Sequence, residues 1–394
     1  MYQQLKNIYH YIQAQLWRAR YGWPDKRLRL YGVTGTNGKT TTAIVLATIL
    51  RAKHGKPKVG LFSTEVFWIG EVEEPNATHM TSIDARILFA SLRTMVRSGV
   101  TDVVLELTSH ALHQHRVAGI SLSGAIITNI THEHLDYHRT MEAYSAAKAK
   151  IADYLRPSAA LVVNADDSWV QKVCLNIRRR RPDLQILAFT AEQAAAVKTL
   201  LPGDFNRENV LAATVLARYI GIDDNTITRA LGEIRSISGR MEYLEHPRGF
   251  KVLIDFALTP DALERLYASI KPGVTGRLIA VFGAAGQRDR TKRPLLTQIA
   301  AKYGDELVLT QDEPYTEPEQ QIYAELEAGL VDATVPWRRI EDRREALAYA
   351  ISKAQAGDVV VVTGMGNYHT RVVGTQQVPW NDKAVVLELF RHRN

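Results

Sequence analysis

The sequence predicts an α/β protein of two domains, and three observations carry that prediction. Short apolar runs alternate with helix-length amphipathic stretches, the pattern of a parallel sheet covered by helices on both faces. A glycine-rich turn joins the first apolar run to a helix at Gly32-Val33-Thr34-Gly35-Thr36-Asn37-Gly38-Lys39-Thr40. A second α/β series then begins near residue 240, after the turn-like stretch Ser236-Ile237-Ser238-Gly239.

Residues 1–27 form an N-terminal helical segment. Over 2–20, Leu5, Ile8, Tyr9, Ile12 and Leu16 recur at helical spacing; Lys6, Arg18 and Arg20 supply charge, and Trp17, Tyr21 and Trp23 lie close by. Two readings stand: a helix docked on the next domain, which is the ordinary one, and a helix lying on a membrane surface. The central domain, 28–238, carries buried-strand candidates at 28–33, 59–62, 103–107, 124–128 and 160–164, with helices at 40–50, 82–98 and 141–154. The C-terminal domain, 239–394, repeats the alternation in a Rossmann-like manner: strands at 251–255, 277–282, 306–309 and 358–363, helices at 260–270, 293–303 and 343–356. The basic run at 178–181 reads as a solvated helix end.

A chain of 394 residues, 46% hydrophobic and 23% charged, is an ordinary globular composition. The net charge of +7 suits a phosphate- or carboxylate-rich ligand, nucleic acid or an anionic membrane, and does not choose among them. The single cysteine, Cys174, excludes a disulfide framework and a Cys-based metal site within one chain. No signal peptide and no run approaching ~20 apolar residues is seen, so the expected location is the cytoplasm.

A strand, a glycine-rich turn and Lys-Thr opening a helix make a P-loop, the recipe for a triphosphate site. Small residues let backbone N–H groups approach phosphate oxygens, and the helix N-terminus adds partial positive charge. Lys39 would reach the β and γ phosphates, the Thr40 hydroxyl would hold Mg²⁺, and Thr41 follows them into the helix. The usual first glycine is replaced by Val33; the glycines here are Gly32, Gly35 and Gly38.

The string Gly35-Thr36-Asn37-Gly38-Lys39-Thr40-Thr41 resembles the ATP loop of the Mur ligases, the amide-forming enzymes of peptidoglycan precursor synthesis, and most of all that of the members adding the third amino acid. Further blocks follow in family order: Leu105-Glu106-Leu107-Thr108-Ser109-His110-Ala111-Leu112, Gln114-His115-Arg116-Val117, Thr128-Asn129-Ile130-Thr131-His132-Glu133-His134-Leu135-Asp136-Tyr137-His138, Ala146-Ala147-Lys148, Gly203-Asp204-Phe205-Asn206 with Asn209, Gly239-Arg240-Met241-Glu242, and Asp255 with Thr259-Pro260-Asp261-Ala262-Leu263. The resemblance implies transfer of the ATP γ-phosphate to a substrate carboxylate and attack of an amine on the acyl phosphate, with two Mg²⁺ ions neutralising charge. It implies that Lys39 serves the phosphates, that Thr40 and Glu106 hold one ion and that His134 helps with the second. It also implies that Lys148 is carbamylated into an anionic metal ligand. Read without the resemblance, Lys148 in Ala-Ala-Lys-Ala-Lys is a helix-surface lysine and His134 a structural histidine. The resemblance places adenine against Asn209, with Asn206 nearby and Arg240 and Asp255 closing over the nucleotide, and the acceptor against Thr108, Ser109, Gln114 and Arg116.

The sequence leaves the family pattern in three places. Only about 27 residues precede the ATP strand, too few for the usual N-terminal domain that grips uridine diphosphate; a muropeptide-like acceptor whose UDP is held weakly, elsewhere or not at all is expected. Members adding diaminopimelate carry Asp-Asn-Pro-Arg, whereas Asp312-Glu313-Pro314-Tyr315 stands here. Without that arginine, diaminopimelate is disfavoured; Glu313 either reads the ammonium of lysine or ornithine or faces solvent, and Arg288 matches the arginine for the amino acid's carboxylate. Last, Met365, Asn367 and Tyr368 replace the Lys, His and Glu of the Gly-Lys-Gly-His-Glu loop, and Leu258 replaces a His. Altered specificity is the leading reading, and a decayed or repurposed ligase the next. Two competing functions remain: a ligase for another acceptor, as in folylpolyglutamate or cyanophycin synthesis, and a non-catalytic nucleotide-binding partner protein.

Overall fold

The computed structural model describes residues 2–76, 81–82 and 84–391. The chain packs as two units, Met1–Thr131 with His138–Arg235, and His132–Tyr137 with Ser236–Asn394.

In the first unit, helix α1 (Tyr2–Arg20) leads to strand β1 (Arg29–Thr34) and α2 (Lys39–His54). Next come β2 (Val59–Phe62), the hairpin β3 (Val66–Ile69) and β4 (Val72–Pro75), α3 (Ala85–Arg97), β5 (Asp102–Glu106), α4 (Ser109–His113) and β6 (Leu122–Ile127). The short α5 (Leu135–His138) and α6 (Met141–Ala149) precede β7 (Leu155–Asn164), α7 (Ser168–Arg180), β8 (Gln185–Phe189), α8 (Ala191–Ala195), α9 (Asp204–Tyr219) and α10 (Asp224–Glu233). The eight strands lie in the order β4-β3-β2-β5-β1-β6-β7-β8, parallel from β2 to β8 and antiparallel in the hairpin at one edge. Strands β1, β5 and β6 are central, and the apolar runs that fill them are buried on both faces, as parallel strands require. The exposed edge strand β4 carries Glu73, Glu74 and Pro75, which discourage pairing with another chain.

Strand β1 continues through Val33, which pairs with Glu106 of β5 and Ile126 of β6. The strand runs on to Thr34, so the tight turn starts later, at Gly35, and the glycine spacing moves with it. Thr108, Thr140 and Asp167 cap α4, α6 and α7 by accepting from backbone N–H groups. Asp84 likewise starts α3, shortening the helix expected from residue 82. Helix α6 stops at Ala149 and tightens into a 3₁₀ turn at Lys150–Tyr154.

Helix α1 packs against α3, but not through its apolar stripe. Ala14, on the opposite face, is the buried residue, and Arg18 is held there by two bonds of 2.9 and 2.8 Å to the buried Asp25 carboxylate. Leu5, Ile8, Tyr9, Ile12 and Leu16 all face outward.

The second unit begins with β9 (Glu242–Glu245), β10 (Lys251–Asp255), α11 (Pro260–Ile270), β11 (Leu278–Phe282), α12 (Arg293–Tyr303) and β12 (Glu306–Leu309). It continues through α13 (Glu319–Glu327), β13 (Trp337–Arg339), α14 (Arg343–Lys353), β14 (Val359–Thr363), the hairpin β15 (Thr370–Val373) and β16 (Gln376–Pro379), and α15 (Asp382–Arg391). Its six-stranded sheet runs β13-β12-β11-β14-β10-β9, parallel except for β9. Val252, Ile254, Ile279, Val281, Val360 and Val362 form the centre of the core, with Leu347 and Val386 packed on it from α14 and α15. Arg343, fully buried, bonds Asp382 at 2.8 and 2.7 Å and the carbonyls of Gln311 and Thr363, tying α14 and α15 to two strand ends.

Candidate active site

The turn between β1 and α2 is shaped by what crowds it. A Cβ on Gly38, whose φ is +79°, would sit 2.0 Å from Asn209 Oδ1, so neither space nor backbone admits a side chain. The end of β6 fixes the turn from below. The Thr36 amide donates to the Asn129 carbonyl at 2.9 Å and the Asn37 amide to Asn129 Oδ1 at 2.8 Å, while Thr128 Oγ1 donates to the Asn37 carbonyl at 2.6 Å. The Lys39 ammonium folds onto the Thr36 carbonyl at 2.8 Å.

Behind the turn, Glu106 ends β5 almost wholly buried, 2% exposed. Thr40 Oγ1 donates to its two oxygens at 3.2 and 3.0 Å, and Thr64 adds an amide at 2.8 Å and a hydroxyl at 3.0 Å. A buried carboxylate needs such partners. The hydroxyl and carboxylate form an all-oxygen pair beside a triphosphate turn, the donor chemistry that Mg²⁺ takes when its other positions go to phosphate and water. Among the described residues no cluster of three His, Cys, Asp or Glu is placed to hold a metal. The expected set draws only on Glu106 and His134 from those residue types.

Lys148 is not the surface lysine that its local sequence suggests. It is 2% exposed, its Nζ donates to the Gly35 carbonyl at 2.5 Å, and it lies over the Tyr144 ring. A carbamate nitrogen keeps one N–H, so that bond is compatible with the modification. Tyr144 in turn meets Thr36 Oγ1 at 3.0 Å. Asn209 donates to Asn206 Oδ1 at 3.2 Å, and Asn206 to the Pro202 carbonyl at 2.6 Å, so both asparagines are held at the start of α9 beside the turn.

A second cluster surrounds α4. The Thr108 amide donates to Ser82 Oγ at 2.8 Å, Arg116 Nε donates to Gln114 Oε1 at 2.9 Å, and Ser109 Oγ is 3.0 Å from His138 Nε2. Burial lowers the His138 pKa to about 3, with His110, His113, Lys148 and Lys150 adding repulsion. Its imidazole is therefore neutral and offers Ser109 one donor or one acceptor.

The second unit holds the remaining candidates. His134 takes a left-handed backbone, φ +57°, next to Glu133, which pairs with Lys292 at 3.1 Å; His132 pairs with Asp289 at 3.2 Å. Asp255 accepts from the amides of Met241 at 2.8 Å and Ala257 at 2.7 Å, and burial raises its pKa. Arg240 lies over the Phe256 ring. Arg288 Nη2 donates to the Tyr315 hydroxyl at 3.1 Å, and that hydroxyl donates to Glu313 Oε2 at 3.3 Å. Glu313 is buried, which excludes the solvent-facing alternative, and also accepts from the Val372 amide at 3.1 Å. Burial first, and the neighbouring Asp312 second, push its pKa up to about 7. Asp312 is itself buried, with its pKa raised by that burial. Met365, in place of the family's lysine, is fully buried, and Asn367 and Tyr368 are tied to Asn381.

Comparison with known proteins decides the family. The Mur ligase middle domain matches residues 33–196, and the Mur ligase glutamate ligase domain matches residues 239–366. A UDP-N-acetylmuramoyl-L-alanyl-D-glutamate–2,6-diaminopimelate ligase of Caldanaerobacter subterraneus subsp. tengcongensis is 36% identical over 392 residues, covering 94% of this chain and 80% of that protein. The chain belongs to the Mur ligase family. A solved structure of a ligase with the same name is 29% identical, with TM-score 0.61, covering 99% of this chain and 84% of the other. A folylpolyglutamate synthase of Mycobacterium tuberculosis complexed with ADP shares the fold at 17% identity, with TM-score 0.72 over 90% of this chain and 91% of the other.

This Mur ligase is thus an ATP-dependent, ADP-forming amide ligase of peptidoglycan precursor synthesis, similar to the tripeptide-forming members. Several residues that build its site escape a motif reading. Thr64 follows β2 at the same sheet end as Glu106, and Asn129, which lies in the 128–138 block but is given no role by it, follows β6 there too. The ends of adjacent parallel strands were the available signal, because ligands of such sheets bind at carboxyl ends. Val372 reaches Glu313 only through the β15–β16 hairpin, whose short polar strands lack a clear alternating pattern.

Proposed function

We propose that this ligase joins an amino acid to the carboxylate of a muropeptide-like acceptor, working in the cytoplasm. The observation that carries the proposal is the bonding of Thr40 and Thr64 to the buried Glu106 directly behind the phosphate turn. In this reading the turn from Gly35 to Thr41, Lys39 included, binds the triphosphate and Asn209, held by Asn206, receives the adenine, with Arg240 and Asp255 as further nucleotide contacts. Thr40 and Glu106 would hold one Mg²⁺; His134 and a carbamylated Lys148 would serve a second. Mg²⁺, when bound, supplies charge neutralisation for phosphoryl transfer. The chain's own residues position the γ-phosphate against the acceptor carboxylate, and the amine then displaces phosphate from the acyl phosphate to leave an amide. Thr108, Ser109, Gln114 and Arg116 are the acceptor contacts. Neutral His138 fixes the Ser109 hydroxyl.

For the amino acid, Arg288 is the carboxylate contact, and Asp312 and Glu313 face the side chain. Tyr315 stands where diaminopimelate-adding members carry arginine, and Glu313 is a buried carboxylate that an ammonium would stabilise, so lysine or ornithine is favoured. The names of the relatives favour 2,6-diaminopimelate instead. A phosphate-release screen separates the readings by crossing UDP-linked and UDP-lacking muramoyl dipeptides with lysine, ornithine, diaminopimelate and neutral amino acids. Release requiring both an acceptor and lysine or ornithine is expected. A preference for diaminopimelate would overturn the role given to Glu313. Tight ATP binding without release for any pair would favour a non-catalytic partner protein.

A further inference from the structure

We propose that α1 docks on anionic membrane, its apolar stripe resting in the headgroup layer of a bilayer that contains acidic phospholipid. Leu5, Ile8, Tyr9, Ile12 and Leu16 are 60%, 55%, 59%, 50% and 58% exposed. At about 100° per residue these five positions share an arc of roughly 100°, one continuous face. A lone exposed leucine is ordinary, whereas five large apolar groups on one face of a helix mark an interaction surface. The fold does not need that face, because α1 is already fastened through Ala14 and the Arg18–Asp25 pair on the opposite side.

Charge selects the occupant. Residues 1–24 contain no Asp or Glu, and the first acid, Asp25, is taken up by Arg18. Lys6 and Arg20 flank the stripe, and Lys26 and Arg27 follow it. A second copy laid on this face would bring these cations together with no acid on α1 itself to offset them. An anionic headgroup layer offsets them all, and the exposed Tyr9, Tyr11 and Trp23 rings suit the same depth. Among the described residues no helix is long and apolar enough to cross a membrane, so contact is shallow and reversible. This inference is independent of the ligase reading.

Flotation of the full chain with vesicles tests it, using phosphatidylcholine alone or with about a third phosphatidylglycerol. The wild-type chain is expected to bind the anionic vesicles roughly tenfold or more tightly than the neutral ones and to be released by high salt. Ile12→Glu with Leu16→Glu is expected to abolish binding while circular dichroism and melting stay unchanged, since both side chains are exposed. Lys6→Glu with Arg20→Glu is expected to erase the preference for anionic vesicles. Failure of the wild-type chain to float with anionic vesicles would overturn the proposal, as would equal binding by Ile12→Glu with Leu16→Glu. A wild-type dimer that ignores vesicles and becomes monomeric in that variant would overturn it in favour of a second copy.

Discussion

Gly38 and Glu313 show how single positions set this site. At Gly38 a methyl group would collide with Asn209 Oδ1, and the backbone is left-handed there. Gly38→Ala is therefore expected to weaken ATP binding by at least about tenfold, ~1.4 kcal/mol, measured by calorimetric titration. Glu313 has its pKa raised from 4.5 to about 7 by burial and Asp312. Between those values the folded chain holds a proton that the unfolded chain has lost. The group's contribution to stability is therefore complete below 4.5 and is lost as pH rises through 7. A cationic substrate side chain beside it favours the ionised form. The KM for lysine or ornithine is accordingly expected to fall as pH rises through about 7, and Glu313→Gln to flatten that dependence in steady-state assays. A wild-type profile without that inflection would remove Glu313 from the ammonium site.

Helix α6 buries Lys148 at the phosphate turn instead of offering it to solvent. Lys148→Ala is expected to lower kcat roughly 10–100-fold, the usual effect of losing a group that orients a metal. Added acetate or formate, small carboxylates able to enter the vacated space, is expected to restore part of the rate; full activity in the unrescued variant would exclude the carbamate. Helices α14 and α15 depend on a different burial, the Arg343–Asp382 pair. Asp382→Ala leaves the guanidinium buried with two carbonyls and, of the nearby carboxylates, only Asp312, which makes no hydrogen bond to it, and denaturant unfolding is expected to show a loss of about 3–5 kcal/mol. A far smaller loss would mean that water replaces the carboxylate.

The whole molecule is coupled to nucleotide by mass action. If the phosphate turn binds ATP only when folded, ATP at a hundred times its Kd stabilises the folded chain by about 2.7 kcal/mol. Differential scanning is expected to register this as a rise in Tm, and Lys39→Ala to remove most of it. An unchanged Tm in saturating ATP and Mg²⁺ would contradict the site.

Fold class and the turn around which the candidate site gathers were legible in the sequence, because strand–turn–helix chemistry is local. Strands 59–62, 251–255 and 306–309 and helices 260–270 and 293–303 follow from apolar runs and their boundaries, and the structure places them at those residues. The edge strands β4, β9 and β13 and the hairpin β15–β16 were not legible. Their exposed or half-exposed residues carry no apolar alternation, and pairing partners alone define them.

By itself, the sequence determined the Mur ligase family, the strand–turn–helix around Gly35–Thr41 and the buried strand that carries Glu106, since each rests on residue types at fixed spacing. Only the tertiary structure decided which way side chains point. It buried Lys148, which neighbouring residues alone would have left at the surface, it buried Glu313, for which the sequence leaves a solvent-facing alternative open, and it turned the apolar stripe of α1 outward. Burial is set by the elements packed against a residue, and those elements come from distant parts of the chain.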